Sequence, residues 1–157
     1  MATTESSSLS KEQIYDPFRK LWLVATPEER VRQALLKKMV FDLLYPKELL
    51  SIERALSDLC IDTNQKKIPS RRVDIACFAK LPNKGLVPLL VIECKEDPLL
   101  AKKALSQVKG YNAFLGAPFT AIAHPEGEIL SYCSQNKEHF LNYLPSYAML
   151  LQAVGYG

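Results

Sequence analysis

The stretch "RRVDIACFAKLPNKGLVPLLVIECK", residues 71–95, contains two apolar segments joined by a turn. "RRVDIACFA" alternates well enough to predict a strand over about residues 72–79, and "LPNKG" is typical of a turn. "LVPLLVIECK" is nearly all apolar, which is typical of a strand buried on both faces. The two segments therefore predict neighbouring strands at the centre of a sheet.

Helix and strand patterns extend from this pair in both directions. "TPEERVRQALLKKMVFDLLYP", residues 26–46, predicts a helix with Thr26 as its N-cap and Pro27 at its first position. Its apolar face is expected to contain Val31, Ala34, Leu35, Met39, Val40 and Leu43. "ELLSIERALSDL" is ambiguous between helix and strand, and we favour a strand over residues 50–56 because the central strands need a neighbour.

The remaining segments complete a layered domain. "YDPFRKLWLV" predicts a short strand or hairpin arm, "PLLAKKALSQVKGYNAFLG" a helix ending at Gly116, "PFTAIAH" and "GEILSYC" two strands, and "KEHFLNYLPSYAMLLQAV" a C-terminal helix. Trp22, Tyr132 and Tyr143 are expected to be core or edge aromatics. We predict a polar, disordered tail over residues 1–14 and one α/β domain over residues 15–157, with a mixed central sheet flanked by helices.

Composition excludes several classes of protein. The 157 residues include no apolar run near ~18 residues, and the polar N-terminus has no signal-peptide pattern, so we expect a cytoplasmic protein without a membrane partner. The four cysteines form no C-x-x-C pair, which argues against a zinc knuckle or a disulfide scaffold and predicts free, mostly buried thiols. A net charge of +3 permits a nucleic-acid partner without requiring one.

The charged end of "VIECK" contains the first candidate site residues. Side chains alternate along a strand, so Glu93 and Lys95 share one face and Cys94 lies on the other. An isolated E-x-K pattern is usually a solvated pair. Asp74, however, interrupts the apolar run of the neighbouring strand, where pairing could bring it beside Glu93, and a buried carboxylate needs a metal, a cation or water.

Two carboxylates that converge from adjacent strands form an oxygen site suited to Mg²⁺, which binds one or two carboxylates together with waters and phosphate oxygens. A lysine beside such a site can orient or deprotonate water and stabilise the negative charge that develops in phosphoryl transfer. Asp74, Glu93 and Lys95 together therefore predict phosphodiester hydrolysis.

Four blocks of the sequence carry a family resemblance. "YDPFRKLWLVATPEERVRQALL" with "YPKELL", then "RRVDI", "VIECK" and "QVKGYN", resembles the PD-(D/E)XK nuclease superfamily and, within it, the N-terminal nuclease domain of type I restriction enzyme R subunits. The resemblance implies a restriction-endonuclease-like core. It also implies Asp74 and Glu93 as metal ligands, Lys95 as the catalytic lysine, and Gln107 with Tyr111 as the Q-x-x-x-Y motif.

Two features depart from that pattern. Val73 stands where the motif name has proline, a position that varies in the superfamily. The chain also contains no G-x-x-x-x-G-K-[ST] phosphate loop, so we expect a helicase motor, where one is needed, to be a separate protein.

The first helix offers a further acidic residue. At 100° per residue Glu28 falls between Val31 and Leu35 on the expected apolar face, whereas Glu29 falls towards the flank as the capping-box partner of Thr26. We therefore assign Glu28 as the assisting site residue. The alternative is that both glutamates simply stabilise the helix N-terminus.

Gln107 and Tyr111 lie four residues apart on the helix that follows "VIECK", at the border of its apolar stripe. From that border they can reach the sheet edge where Glu93 and Lys95 emerge, and we expect them to position the site rather than perform the chemistry. The alternative is that Tyr111 packs at the edge of the core and Gln107 is solvated.

The leading functional hypothesis is a Mg²⁺-dependent nuclease, with Mn²⁺ as a substitute, that cuts DNA rather than RNA. The alternative is a non-cleaving nucleic-acid-binding or protein-interaction module that keeps the nuclease fold, because a free-standing enzyme that grips a duplex usually has more clustered Lys and Arg. A homodimer and a separate motor or helicase partner both remain open.

Overall fold

The computed structural model describes residues 11–60 and 67–157. Its strands are β1 (Gln13–Asp16), β2 (Leu21–Val24), β3 (Leu50–Ala55), β4 (Arg72–Leu81), β5 (Gly85–Cys94), β6 (Phe119–His124), β7 (Gly127–Ser134) and β8 (Lys137–Leu141). Its α-helices are α1 (Pro27–Lys37), α2 (Leu56–Leu59), α3 (Ala101–Leu115) and α4 (Tyr147–Ala153), and a π-helical segment, Lys38–Asp42, continues α1. Residues 1–10 of the predicted tail lie outside the described residues, and β1 begins two residues before the predicted start of the domain.

A six-stranded mixed sheet runs in the order β3-β4-β5-β6-β7-β8, and β1 and β2 form a separate hairpin. Every neighbouring pair in the large sheet is antiparallel except β5 and β6, which are parallel and are connected through α3. The predicted α/β architecture with a mixed central sheet is confirmed. β5 lies between β4 and β6, as expected of its almost wholly apolar sequence.

The sheet is covered by helices on both faces. Ile92 and Cys94 of β5 belong to the apolar layer that contains Val31 and Leu35 of α1. Val91, the residue before Ile92, belongs to the opposite layer, which contains α3. The alternation of β5 between two buried layers explains why its sequence lacks polar positions until Glu93.

Helix α1 begins as predicted but buries a different face. Thr26 caps it, because its hydroxyl accepts a hydrogen bond of 3.1 Å from the backbone N–H of Glu29. Ala34 is exposed rather than buried, and Leu36 is fully buried. The expected face was wrong by part of a turn, because the flank with Glu29 and Arg32 is buried and forms ion pairs with the β1–β2 hairpin and with β3.

The predicted C-terminal helix is wrong over its first part. Residues 137–141 form β8, and only Tyr147–Ala153 form a helix, capped by the hydroxyl of Ser146. The chain turns back onto β7 through Gln135 and Asn136, whose φ angles are 52° and 62°. Two consecutive residues with positive φ make a tight hairpin turn, and this turn fixes β8 as a strand.

Side-chain exposure corrects two smaller expectations. All four cysteines are free, but Cys133 is exposed. Trp22, expected in the core or at its edge, is 65% exposed on β2, where its ring lies 5.3 Å from that of Tyr15. None of the helices in the described part of the chain is long and apolar enough to cross a lipid bilayer.

Replacing the glycine inside α3 and the glycine that caps it should change the free energy of unfolding in opposite directions. Gly116 ends the helix with a φ of +73°, so we expect Gly116→Ala to lower the free energy of unfolding by about 1 kcal/mol through backbone strain. Gly110 lies inside the helix with open space around it, so Gly110→Ala should raise that free energy by about 0.5–1 kcal/mol. Urea unfolding measures both, and equal signs would contradict the assigned end of α3.

Candidate functional site

Asp74 and Glu93 meet where β4 stops pairing with β5. Ile75 and Ile92 are the last paired residues at that end; Asp74 directly precedes Ile75 and Glu93 directly follows Ile92. The backbone N–H of Cys94 donates a hydrogen bond of 2.7 Å to Asp74 Oδ2, which joins the two strand ends. Both acidic residues are 9% exposed.

The charge of Asp74 is balanced by Arg32 of α1. Arg32 Nη2 donates to Asp74 Oδ1 at 2.9 Å. The same guanidinium donates to Glu29 at 2.9 Å and to Glu53 of β3 at 3.4 Å. The buried Asp74 therefore has two partners, a guanidinium from α1 and a backbone N–H from β5.

Glu93 faces the other helical layer. The hydroxyl of Tyr111 donates to its Oε2 at 3.0 Å, and Arg71 Nη2 lies 3.4 Å from its Oε1. Burial and then the negative charge of Asp74 raise the pKa of Glu93 to about 7, although Arg71, Tyr111 and Lys95 act in the opposite direction. The carboxylate of Asp74 is therefore close enough to disfavour the ionised form of Glu93.

Lys95 lies just beyond β5. Its backbone N–H donates to the carbonyl of Ala123 at 2.8 Å, which extends the line of the parallel strands by one residue. Its side chain is half-buried, and its charge favours the ionised form of Glu93. Within the described residues no carboxylate lies at ion-pair distance from the Lys95 ammonium, so this ammonium has no fixed partner there.

The structure brings four of the six candidate residues together and leaves two at the periphery. Asp74, Glu93, Lys95 and Tyr111 form the group at the strand ends. Gln107 is exposed one turn before Tyr111, and among the described residues its side chain makes no hydrogen bond. Glu28 is also exposed, although its charge is one of the smaller contributions, after burial, that raise the pKa of the Cys94 thiol.

The buried acid of the first helix is Glu29, which corrects the expectation that Glu28 faces inwards. Glu29 Oε1 accepts a hydrogen bond of 2.6 Å from Arg19, which lies in the turn between β1 and β2. Arg19 also donates to Asp16 and, at 3.1 Å, to Glu53. Glu29 is therefore enclosed by two guanidinium groups, and its side chain does not complete a capping box.

Sequence reasoning missed Arg19, Glu53 and Arg71. The fully buried Asp16 sits in "YDPFRK", and an acidic residue between aromatic neighbours could have indicated a buried ion pair. Glu53 interrupts the strand pattern of β3 and has a φ of 51°. A positive φ is uncommon for a residue other than glycine and costs on the order of 1–3 kcal/mol, so the surrounding contacts must hold Glu53 in place.

The donor set fits a hard divalent cation. In the described part of the chain, no three His, Cys, Asp or Glu side chains cluster as a metal site. Asp74 and Glu93 supply two carboxylates, which is the number that Mg²⁺ uses when waters and phosphate oxygens complete its shell. Such a cation would offset the negative charge of Asp74, which after burial raises the pKa of Glu93.

Replacing Glu29 and replacing Glu28 should have different effects on the stability of the protein. Glu29→Gln removes the charge between Arg19 and Arg32, so we expect the free energy of unfolding to fall by about 2–4 kcal/mol. Glu28→Gln, at an exposed position, should change it by less than about 0.5 kcal/mol. Chemical denaturation of both variants tests this, and similar values would contradict the buried position of Glu29.

The raised pKa of Glu93 predicts how stability depends on pH without a metal. Between the ordinary value of 4.5 and about 7, the folded protein holds a proton that the unfolded chain has lost. The free energy of unfolding should therefore fall as pH rises through this window, by up to about 3 kcal/mol from this group.

Glu93→Gln removes the titrating group and should flatten that part of the profile in EDTA. At pH 8 the variant is expected to be more stable than the parent chain, and at pH 4.5 the two should be alike. Glu126→Gln, at an exposed position, is the matched control and should keep the parent profile. A parent-like profile for Glu93→Gln would show that Glu93 ionises freely in the folded state.

Comparison with known proteins agrees with the resemblance found in the sequence. Residues 27–145 match the family described as type I restriction enzyme R protein N terminus. The match runs from the first residue of α1 to the loop before α4, and it includes all six candidate site residues. No curated protein matches the chain. Because the family match covers most of the 157 residues, the chain belongs to the family of type I restriction enzyme R protein N-terminal domains.

Proposed function

We propose that the chain is a metal-dependent nuclease that hydrolyses DNA phosphodiester bonds. The observation that carries the proposal is the convergence of Asp74 and Glu93 at the ends of β4 and β5, with the unpaired ammonium of Lys95 beside them in the described structure. Two carboxylates and a lysine can support metal-assisted phosphodiester hydrolysis, and these three residues come from adjacent strands of the sheet or directly follow one.

Asp74 and Glu93 would hold Mg²⁺ or Mn²⁺. Such an ion supplies Lewis acidity and neutralises charge on the phosphate oxygens when it is bound. The chain contributes the fixed positions of its two ligands: the N–H of Cys94 orients Asp74, and the hydroxyl of Tyr111 orients Glu93. Both carboxylates are buried, so few of their rotamers need to be frozen when the substrate binds.

Lys95 is suited to act on the substrate directly. It follows Glu93 by two residues and is half-buried, so its ammonium can contact both the site and solvent. A cation in this position stabilises negative charge that develops on the phosphate and can hold the attacking water by hydrogen bonding. Gln107 is exposed on the same helix as Tyr111, where it would contact the substrate rather than the ligands.

DNA is the substrate class that family membership supports, since the family is described as part of a restriction enzyme. The net charge of +3 is compatible with a polyanionic substrate but small for a chain that binds it alone. A second copy of the chain or a separate motor or helicase protein would supply further contacts.

One observation favours a second candidate, a nuclease-like module that binds nucleic acid or protein without cutting. Arg32 already bonds Asp74 at 2.9 Å and neutralises it without a metal. A chain in which Arg32 permanently replaced the ion would keep the fold and lose the chemistry. The two candidates differ in whether a divalent cation binds at Asp74 and Glu93.

A cleavage assay separates the candidates. Supercoiled plasmid and single-stranded DNA are incubated with Mg²⁺, Mn²⁺ or EDTA, and products are resolved on gels. We expect cutting only with the metals, and we expect Asp74→Asn, Glu93→Gln and Lys95→Ala each to lower the rate by at least about 100-fold. Lys80→Ala, at the opposite end of β4, removes an exposed charge and should retain the rate.

Stability and metal binding serve as the controls for this assay. Each variant is unfolded thermally in EDTA, so that a folding defect is not mistaken for lost chemistry. Calorimetry with Mn²⁺ should show binding to the parent chain and to Lys95→Ala but not to Asp74→Asn. Full activity in Asp74→Asn, or DNA binding without products and without metal binding, would favour the non-cleaving module.

A further inference from the structure

Arg71 lies immediately before β4, beside Glu93 and Tyr111. Its guanidinium carbon is 4.4 Å from the centre of the Tyr111 ring, and its Nη2 is 3.4 Å from Glu93 Oε1. Its side chain is 33% exposed. Arg71 therefore connects the buried carboxylate to solvent at the open end of the site.

The contacts of Arg71 contrast with those of Arg32. Arg32 is 6% exposed and bonds three carboxylates at 2.9–3.4 Å, so its donors are directed into the protein. Arg71 has a single ion pair near the outer limit of hydrogen-bond distance. Most of its donors therefore have no acceptor among the described residues, and its buried Nε has none there either.

The Arg71 guanidinium lies over the face of the Tyr111 ring. A cation–π contact of this kind restricts the motion of the guanidinium, and the hydroxyl of the same tyrosine is fixed by its bond to Glu93. Arg71, Tyr111 and Glu93 thus form a closed triangle of contacts. The free edge of the guanidinium is preorganised by this triangle, and a planar donor edge matches two oxygens of a phosphate.

Electrostatics also favours a cation at this position. Asp74 and Glu93 would repel an approaching phosphodiester, and Arg32 is enclosed behind them. Lys95 and Arg71 are the two cations whose charge acts on Glu93 and whose side chains reach solvent. Of these two, Arg71 offers the bidentate geometry.

We propose that Arg71 binds a backbone phosphate of the nucleic-acid strand next to Glu93, with the Tyr111 ring as the support for its guanidinium. That the bound phosphate belongs to DNA rests on the proposed nuclease function. The contact itself is a binding step that can be measured without cleavage.

The test is equilibrium binding of a fluorescent DNA duplex in EDTA at several salt concentrations. Arg71→Ala should weaken binding about 10-fold at low salt and reduce the slope of log K against log salt by about 0.9, the value for one lost phosphate contact. Arg72→Ala is the matched control: the same charge is lost at the next residue, where the exposed guanidinium donates to the backbone of Glu53 instead. It should leave the slope unchanged.

Arg71→Lys keeps the charge and is the second test variant, in case Arg71→Ala does not fold. It should retain the slope but bind about 3-fold more weakly, because an ammonium cannot form the bidentate contact. Equal losses in Arg71→Ala and Arg72→Ala, or no binding by the parent chain, would overturn the proposal. DNA binding that depends on Arg71 in a chain that never cuts would overturn the nuclease function and leave this inference standing.

Discussion

The buried carboxylate of Asp74 is the constraint on which the rest of the site depends. An ionised group in this position costs several kcal/mol unless it is paired, and its two oxygens are satisfied from opposite directions. Arg32 reaches it from α1, and the N–H of Cys94 reaches it from β5. The carboxylate of Asp74 therefore links the position of α1 on the sheet to the place where β5 ends.

The same coupling extends to the periphery of the domain. Arg32 is held by Glu29 and Glu53, and both of these acids are also bonded to Arg19 in the β1–β2 hairpin. The hairpin is thus connected to the site by ion pairs, in addition to the packing of Phe18 in its turn against the core. The positive φ of Glu53 is explained by this arrangement, since the backbone is strained while the carboxylate contacts two guanidinium groups.

The sequence predicted those features that depend on local pattern. β4, β5, α3 and the cap of α1 follow from alternation, from runs of apolar residues and from turn or capping residues, and the carboxylates at the strand ends are visible because they interrupt such runs. Glu29 could not be chosen over Glu28, because its burial depends on a hairpin that periodicity does not place. β8 was missed because "KEHFLNYL" fits either structure and the turn at Gln135 and Asn136 contains no glycine.

Arg32 links the two candidate functions through a single equilibrium. A divalent cation on Asp74 would place positive charge close to the guanidinium and weaken its bond to Oδ1. Arg32 would still be paired with Glu29 and Glu53. Its guanidinium could therefore release Asp74 without becoming an unpaired buried charge. The acids that bond Arg32 would thus lower the cost of exchanging a guanidinium for a metal at Asp74. A domain in which Arg32 only replaced the ion would need one carboxylate partner, whereas this chain provides Arg32 with three.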